Sequence, residues 1–98
     1  MIPLTRRAER QVERLQRHYL ERGRPEAVRN LLAAVREAGD RIGRDPSSGV
    51  AAPRPYPELR RQGMAWVKAG RYWAAYLHRP ALMIAAVYYD TADIPGRH

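Results

Sequence analysis

Arg60, Arg61, Lys68, Arg71 and Arg79 stand among Trp66, Tyr72, Trp73 and Tyr89 in the second half of a 98-residue chain. Cationic groups interleaved with aromatic rings hold phosphates and stack on bases, or they anchor a protein interface. The residue types do not choose between those chemistries. Any one ring, Trp73 or Tyr76 for example, can instead fill the core, with the arginines left in solvent.

Other chemistries have thinner support. His18, His78 and His98 are far apart and lack the spacing of metal ligands. With no cysteine there is no disulfide and no thiolate site, which suits a reducing compartment. No nucleophile elbow, HExxH helix or phosphate-binding glycine loop occurs, and nothing in the chain calls for a cofactor. Asp90 and Asp93 are close enough for acid/base work, but two solvated turn carboxylates explain them as well. No catalytic residue is assigned.

The elements that must position the cations and rings centre on GRYWAAYLHRPALMIAAVYYD, residues 70–90. Tyr, Trp, Val and Ile favour a pleated surface, so this reads as two strands, about Arg71–Leu77 and Leu82–Tyr89. Pro80 belongs in the turn between them. Alternation sets Tyr72, Ala74, Tyr76 and His78 against Trp73, Ala75 and Leu77. In the second strand Leu82, Ile84, Ala86 and Tyr88 oppose Met83, Ala85, Val87 and Tyr89. Neither face is plainly polar, and the chain has helix enough to cover one of them. The other face is where a partner is expected.

Ahead of this pair the reading is simpler. Met1–Leu4 suits a short strand. Thr5 is a good N-cap for a helix whose apolar stripe is Ala8, Val12, Leu15, Tyr19 and Leu20, ending near Gly23. Glu9, Glu13, Arg10, Arg14 and Arg17 fall on the remaining surface, where several opposite-charge pairs at helical spacing are open. Pro25 suits the first turn of a second helix with a broader face, including Leu31, Leu32, Val35 and Ile42. Gly39 or Gly43 is a candidate end, and Asp45–Pro46 forbids continuation. From Asp45 to about Gly63 there is no periodicity, and the stretch holds Pro46, Pro53, Pro55 and Pro57 with Ser47, Ser48 and Gly49. Such a loop is functional or pinned along the surface in extended form, with Tyr56 and Leu59 as anchors. Met64–Lys68 reads as a third strand.

The sum is a single α+β domain over residues 1–98: short N-terminal strand, antiparallel helical hairpin, then a three-stranded antiparallel meander. Its net charge is +8, from 18 basic residues, 17 of them arginine, against 10 acids. That balance favours an acidic protein, a nucleic acid or an anionic surface. No run nears the roughly 18 apolar residues of a membrane span, and Met1–Thr5 is too short for a secretory signal. A cytoplasmic protein with no membrane partner is expected.

Three segments, in order, carry a likeness: PLTRRAERQVERL, then DPSSG, then GRYWAAYLHRPALMIAAVYYDTADIP. The chain resembles the RelE/ParE superfamily of bacterial toxin–antitoxin toxins, whose ending places aromatics where Tyr72 and Tyr76 stand. Ile84, Val87, Asp93, Ile94 and Pro95 continue the match. Members usually have a histidine where this chain has Tyr89, and a basic pair where it has Thr91 and Ala92. The ribonuclease branch relies on cations and a C-terminal Tyr or His to cleave messenger RNA on the ribosome. Here Tyr89, Arg71 and Arg97 are fragments of such a site that no pattern places together.

The resemblance therefore implies the ParE branch: a protein neutralised by a cognate antitoxin with an acidic C-terminal segment, and poisoning DNA gyrase without cleaving anything itself. Arg60, Arg61, Trp66, Lys68, Arg71, Trp73 and Tyr89 are the expected contacts with antitoxin or target. The rival expectations are a ribosome-dependent ribonuclease, and a toxin-like domain surviving only as a binding module.

Overall fold

A computed structural model of the chain describes residues 2–53, 60 and 63–89. The expectations for Tyr56, Leu59, Arg61, the Asp90/Asp93 pair, Arg97, His98 and the 91–98 tail fall outside those residues. Two helices are followed by a three-stranded antiparallel sheet in the order β1-β2-β3, the α+β arrangement that the residue pattern implies.

Helix α1 runs Arg6–Glu21, and the Thr5 hydroxyl accepts from the Ala8 amide at 3.2 Å. Ala8, Val12 and Tyr19 are buried and Leu15 packs against them, whereas Leu20 is exposed. Gly23 turns the chain at φ 66°, a left-handed conformation that costs glycine little. Helix α2, Pro25–Arg44, starts on its proline as expected. Neither glycine ends it. Gly39 is buried within the helix, which stops where Asp45 donates to the Arg41 carbonyl at 3.0 Å before Pro46. Leu32, read as part of the apolar face, is exposed. The opposite-charge pairs open to α1 do not form; among the described residues the ion pair is Arg24–Glu26 at 3.2 Å.

Strands β1 (Met64–Ala69), β2 (Tyr72–Leu77) and β3 (Met83–Tyr89) form the meander. A two-residue turn, Gly70–Arg71, joins β1 to β2 with Ala69 opposite Tyr72. The strict alternation expected for β3 fails at one place. Ala75 faces Ala86 but Tyr76 faces Ile84, so Ala85 is an extra residue and the faces swap across it. Beyond this bulge Val87 and Tyr89 join Ile84 on the helix side, while Ala86 and Tyr88 turn away. The expected N-terminal strand is reduced to a parallel bridge between Leu4 and Ile84 beside the same bulge. Thr5 donates its amide to the Ile84 carbonyl at 2.8 Å, Ile84 donates to Pro3, and the Thr5 hydroxyl reaches the Ala85 carbonyl. Backbone groups freed by the bulge are thereby satisfied.

The helices cover one face, burying Ala65, Val67, Tyr72, Tyr76, Ile84 and Val87 against Leu31, Ala34 and Ile42. The opposite face is not the open apolar surface that the helix count suggests. Trp66, Ala75, Ala86 and Tyr88 form a second buried cluster there, with Ala52, Met64 and Trp73 packed on it. Val50 pairs with Trp66 through two backbone bonds of 2.7 and 2.8 Å, so the proline-rich loop begins by lying extended along β1. Pro53, three residues on, is fully buried. Residues 50–53 cover part of this face.

Tyr76 fastens that loop. Its hydroxyl donates to the Pro46 carbonyl at 2.6 Å and accepts from the Gly49 amide at 3.1 Å. A side chain at Gly49 has no room: its Cβ would press on the Tyr76 hydroxyl and lie 2.7 Å from the ring's Cε1. Because Gly49 has an ordinary φ of −77°, the penalty is steric and not conformational. Gly49→Ala is expected to destabilise the chain by about 1–3 kcal/mol, the usual cost of overpacking, read from the urea midpoint at unchanged slope.

Candidate functional site

An opening lies at the end of the molecule where the helical turn meets the β1–β2 turn. It is a cleft of about 1190 Å³ between α1, α2 and the sheet. Each wall follows from local structure. On α1, Gln11, Arg14 and His18 recur at three- and four-residue steps, so they share one side of the helix beside the buried stripe. The hairpin turn brings Arg24, and the first half of α2 brings Ala27, Ala34 and Glu37. The two-residue turn holds Arg71 at the mouth. Pairing of Tyr72 with Tyr89 sets the beginning of β2 beside the end of β3, their rings edge-to-face at 5.4 Å.

At the floor, the Tyr19 and Tyr72 hydroxyls are 2.6 Å apart and both side chains are buried. Two phenols own two hydroxyl hydrogens, and their mutual bond uses one. The second has no acceptor among the described residues, so the pair can donate one hydrogen bond into the cleft. Burial, then the bond to Tyr19, push the Tyr72 phenol well above its ordinary value of 10.0. It stays a neutral donor at any physiological pH and is no general base.

The same shift predicts a pH dependence. Above pH 10.0 the unfolded chain releases the Tyr72 proton while the folded chain keeps it. Stability is therefore whole below that pH and falls as pH rises through and beyond it. Tyr76 contributes in the same direction, its phenol raised by burial. Urea titrations followed by circular dichroism should show a lower midpoint at each step above pH 10.0, and Tyr72→Phe should flatten that decline.

The structure divides the expected contact residues. Arg71, exposed, and Tyr89, half-buried, come together in the cleft. Lys68 and Trp73 pair across β1 and β2 on the far face, where Lys68 is exposed and Trp73 half-buried. Trp66 belongs to that face too, where it has no exposed surface and stacks on Tyr88 at 6.0 Å. Arg60 is exposed, and Arg61 lies outside the described residues. Arg14, His18, Tyr19 and Arg24 were not among the expected contacts. The signal available for Arg14 and His18 was their four-residue spacing alongside the Leu15 and Tyr19 stripe.

No family model matches this chain, and no curated protein matches it. Among the described residues no helix is long and apolar enough to cross a membrane. Arg14 and Arg71, exposed and without an acidic partner among those residues, face a cleft whose floor donates a hydrogen bond. Such a site suits an anionic group, held by charge at the rim and by a phenol at depth.

Proposed function

We propose that this chain is the toxin of a bacterial type II toxin–antitoxin pair, of the RelE/ParE kind and nearer ParE. It is held inactive by a cognate antitoxin with an acidic segment and, when free, binds a cellular target, DNA gyrase. The observation that supports the reading is the order of elements: capped helical hairpin, a loop opening on DPSSG, then a meander with the N-terminal segment laid along its last strand. That is the order the likeness in sequence implies. The +8 charge supports encounter with an acidic partner, accelerating association more than it tightens the complex.

A ribosome-dependent ribonuclease is the second reading, and one observation favours it. Arg71 and Tyr89, which nothing in the sequence joins, line one cleft. In-line attack on a phosphodiester needs a base and cationic stabilisation at the scissile group. The cleft offers cations, with His18 and Tyr89 as groups able to exchange a proton.

Induced expression of the chain in a bacterial host, with and without the neighbouring gene, tests the shared claim. Growth arrest relieved by that neighbour is the expected result, and unimpaired growth would sink both readings. Purified components then separate them. Gyrase-dependent DNA breaks with intact messenger support the first; cleavage of messenger on purified ribosomes, lost on Arg71→Ala, supports the second.

A further inference from the structure

The cleft's lining says more about its occupant than its charge does. Leu15, Ala27, Ala34 and Val87 form an apolar floor between the cations, and Glu37 stands on the rim. A phosphate chain needs positive charge along its whole length, and it gains nothing from apolar floor or acidic rim. A peptide alternating aliphatic and acidic side chains uses the cations and the apolar floor together, and Glu37 alone is left without a match. The volume, about 1190 Å³, exceeds the range of about 300–1,000 Å³ usual for small-molecule pockets. Arg10, on the neighbouring surface of α1 with Arg7 and Gln11, continues the basic side of the helix beyond the cleft.

We infer that the cleft is the docking site of an acidic, aliphatic peptide segment, one carboxylate of which takes the hydrogen bond that the Tyr19–Tyr72 pair leaves unused. Arg14 and Arg71 meet the flanking acids. This rests on the toxin reading for the partner's identity but not for its chemistry. Two features carry it independently of that reading: a buried phenol pair with one hydrogen that no described residue accepts, and exposed guanidinium groups with no acid paired to them among the described residues. A carboxylate satisfies both, because it accepts from a phenol and from a guanidinium at once. The far face, with its sheltered tryptophan and its own loop, is then the sheet's second core and not the docking surface.

Fluorescence anisotropy with the purified full chain tests this. The probe is a fluorescein-labelled peptide of Glu, Leu and Ala, about 15 residues or four helical turns long. Comparators are a peptide with Gln for every Glu, and a labelled oligouridylate. The acidic peptide is expected to bind and the Gln peptide to fail. Arg14→Glu with Arg71→Glu should weaken binding by at least about 30-fold, and Tyr72→Phe by about tenfold. Lys68→Glu, on the opposite face, should leave affinity within about twofold, as an exposed charge away from the contact does. Arg14 is exposed, so Arg14→Glu alone serves if Tyr72→Phe disturbs folding. Equal binding by the Arg14→Glu/Arg71→Glu chain, or tight oligouridylate binding with no peptide binding, overturns the inference. Growth arrest without peptide binding would refute the docking site and spare the toxin reading. Peptide binding by a chain that never slows growth would do the reverse.

Discussion

Trp66→Ala is expected to lower the unfolding free energy by about 3–5 kcal/mol, the range for truncating a buried tryptophan. A domain of this size has about 5–15 kcal/mol in all, so the variant sits near the edge of folding. The reason is where Trp66 stands. It has no exposed surface, stacks on Tyr88 and is the residue to which Val50 fastens the loop. Removing the ring empties the largest part of the far-face core and leaves Tyr88, stacked on it, without its partner ring beside Ala75 and Ala86. Trp73 is the matched control. It is half-buried, and its buried indole N–H has no acceptor among the described residues. Trp73→Phe keeps most of the apolar contact and removes an unsatisfied donor, so its cost should stay under about 1 kcal/mol. Urea unfolding of both variants gives the comparison. Equal losses would mean that the far face is not a core around Trp66 but a surface on which either ring is dispensable.

That contrast also marks where reading the residues reaches its limit. The helices were legible because their signals are local: Thr5 before an apolar stripe, Pro25 opening α2, Asp45–Pro46 closing it. So were the strands, since Tyr, Trp and Val crowd 64–89. The second core was not legible. Covering it falls to residues 50–53, which have no periodicity, and their pairing with Trp66 is set by tertiary contact alone. Counting helices against sheet faces omitted that loop, and so left Trp66 on an open surface. The bulge at Ala85 was hidden for another reason. One alanine in an Ala-Ala pair carries no mark of its backbone role, yet it reverses the facing of every later residue in β3 and thereby brings Tyr89 to the helix side. The cleft combines both failures. Tyr19 and Tyr72 are 53 residues apart and meet only when α1 lies on the sheet, and Tyr19 by spacing was simply one more core residue.

Reversing charge at the mouth of the cleft should abolish growth inhibition. On the toxin proposal, the unaltered chain is expected to arrest growth on induction and the chain carrying Arg14→Glu and Arg71→Glu to allow normal colony formation. Both arginines are exposed and neither is paired with an acid among the described residues, so folding should be spared and circular dichroism should be unchanged. The effect at the site is large because each substitution both deletes an attraction and places like charge against an acidic partner, which costs several kcal/mol in a closed interface. Every 1.4 kcal/mol is about tenfold in affinity. A control with the same change of net charge, Lys68→Glu with Arg79→Glu, separates this from long-range steering, since both residues are exposed away from the cleft. Steering depends on the charge of the whole molecule and would be weakened alike in the two chains. Contact depends on where the charge sits. If antitoxin and target both use the cleft, the Arg14→Glu/Arg71→Glu chain loses toxicity and antitoxin binding together, because neutralisation is then occlusion of one surface. If it loses antitoxin binding but still arrests growth, the target is met elsewhere, and the far face, with exposed Lys68 beside half-buried Trp73, becomes the surface to alter next.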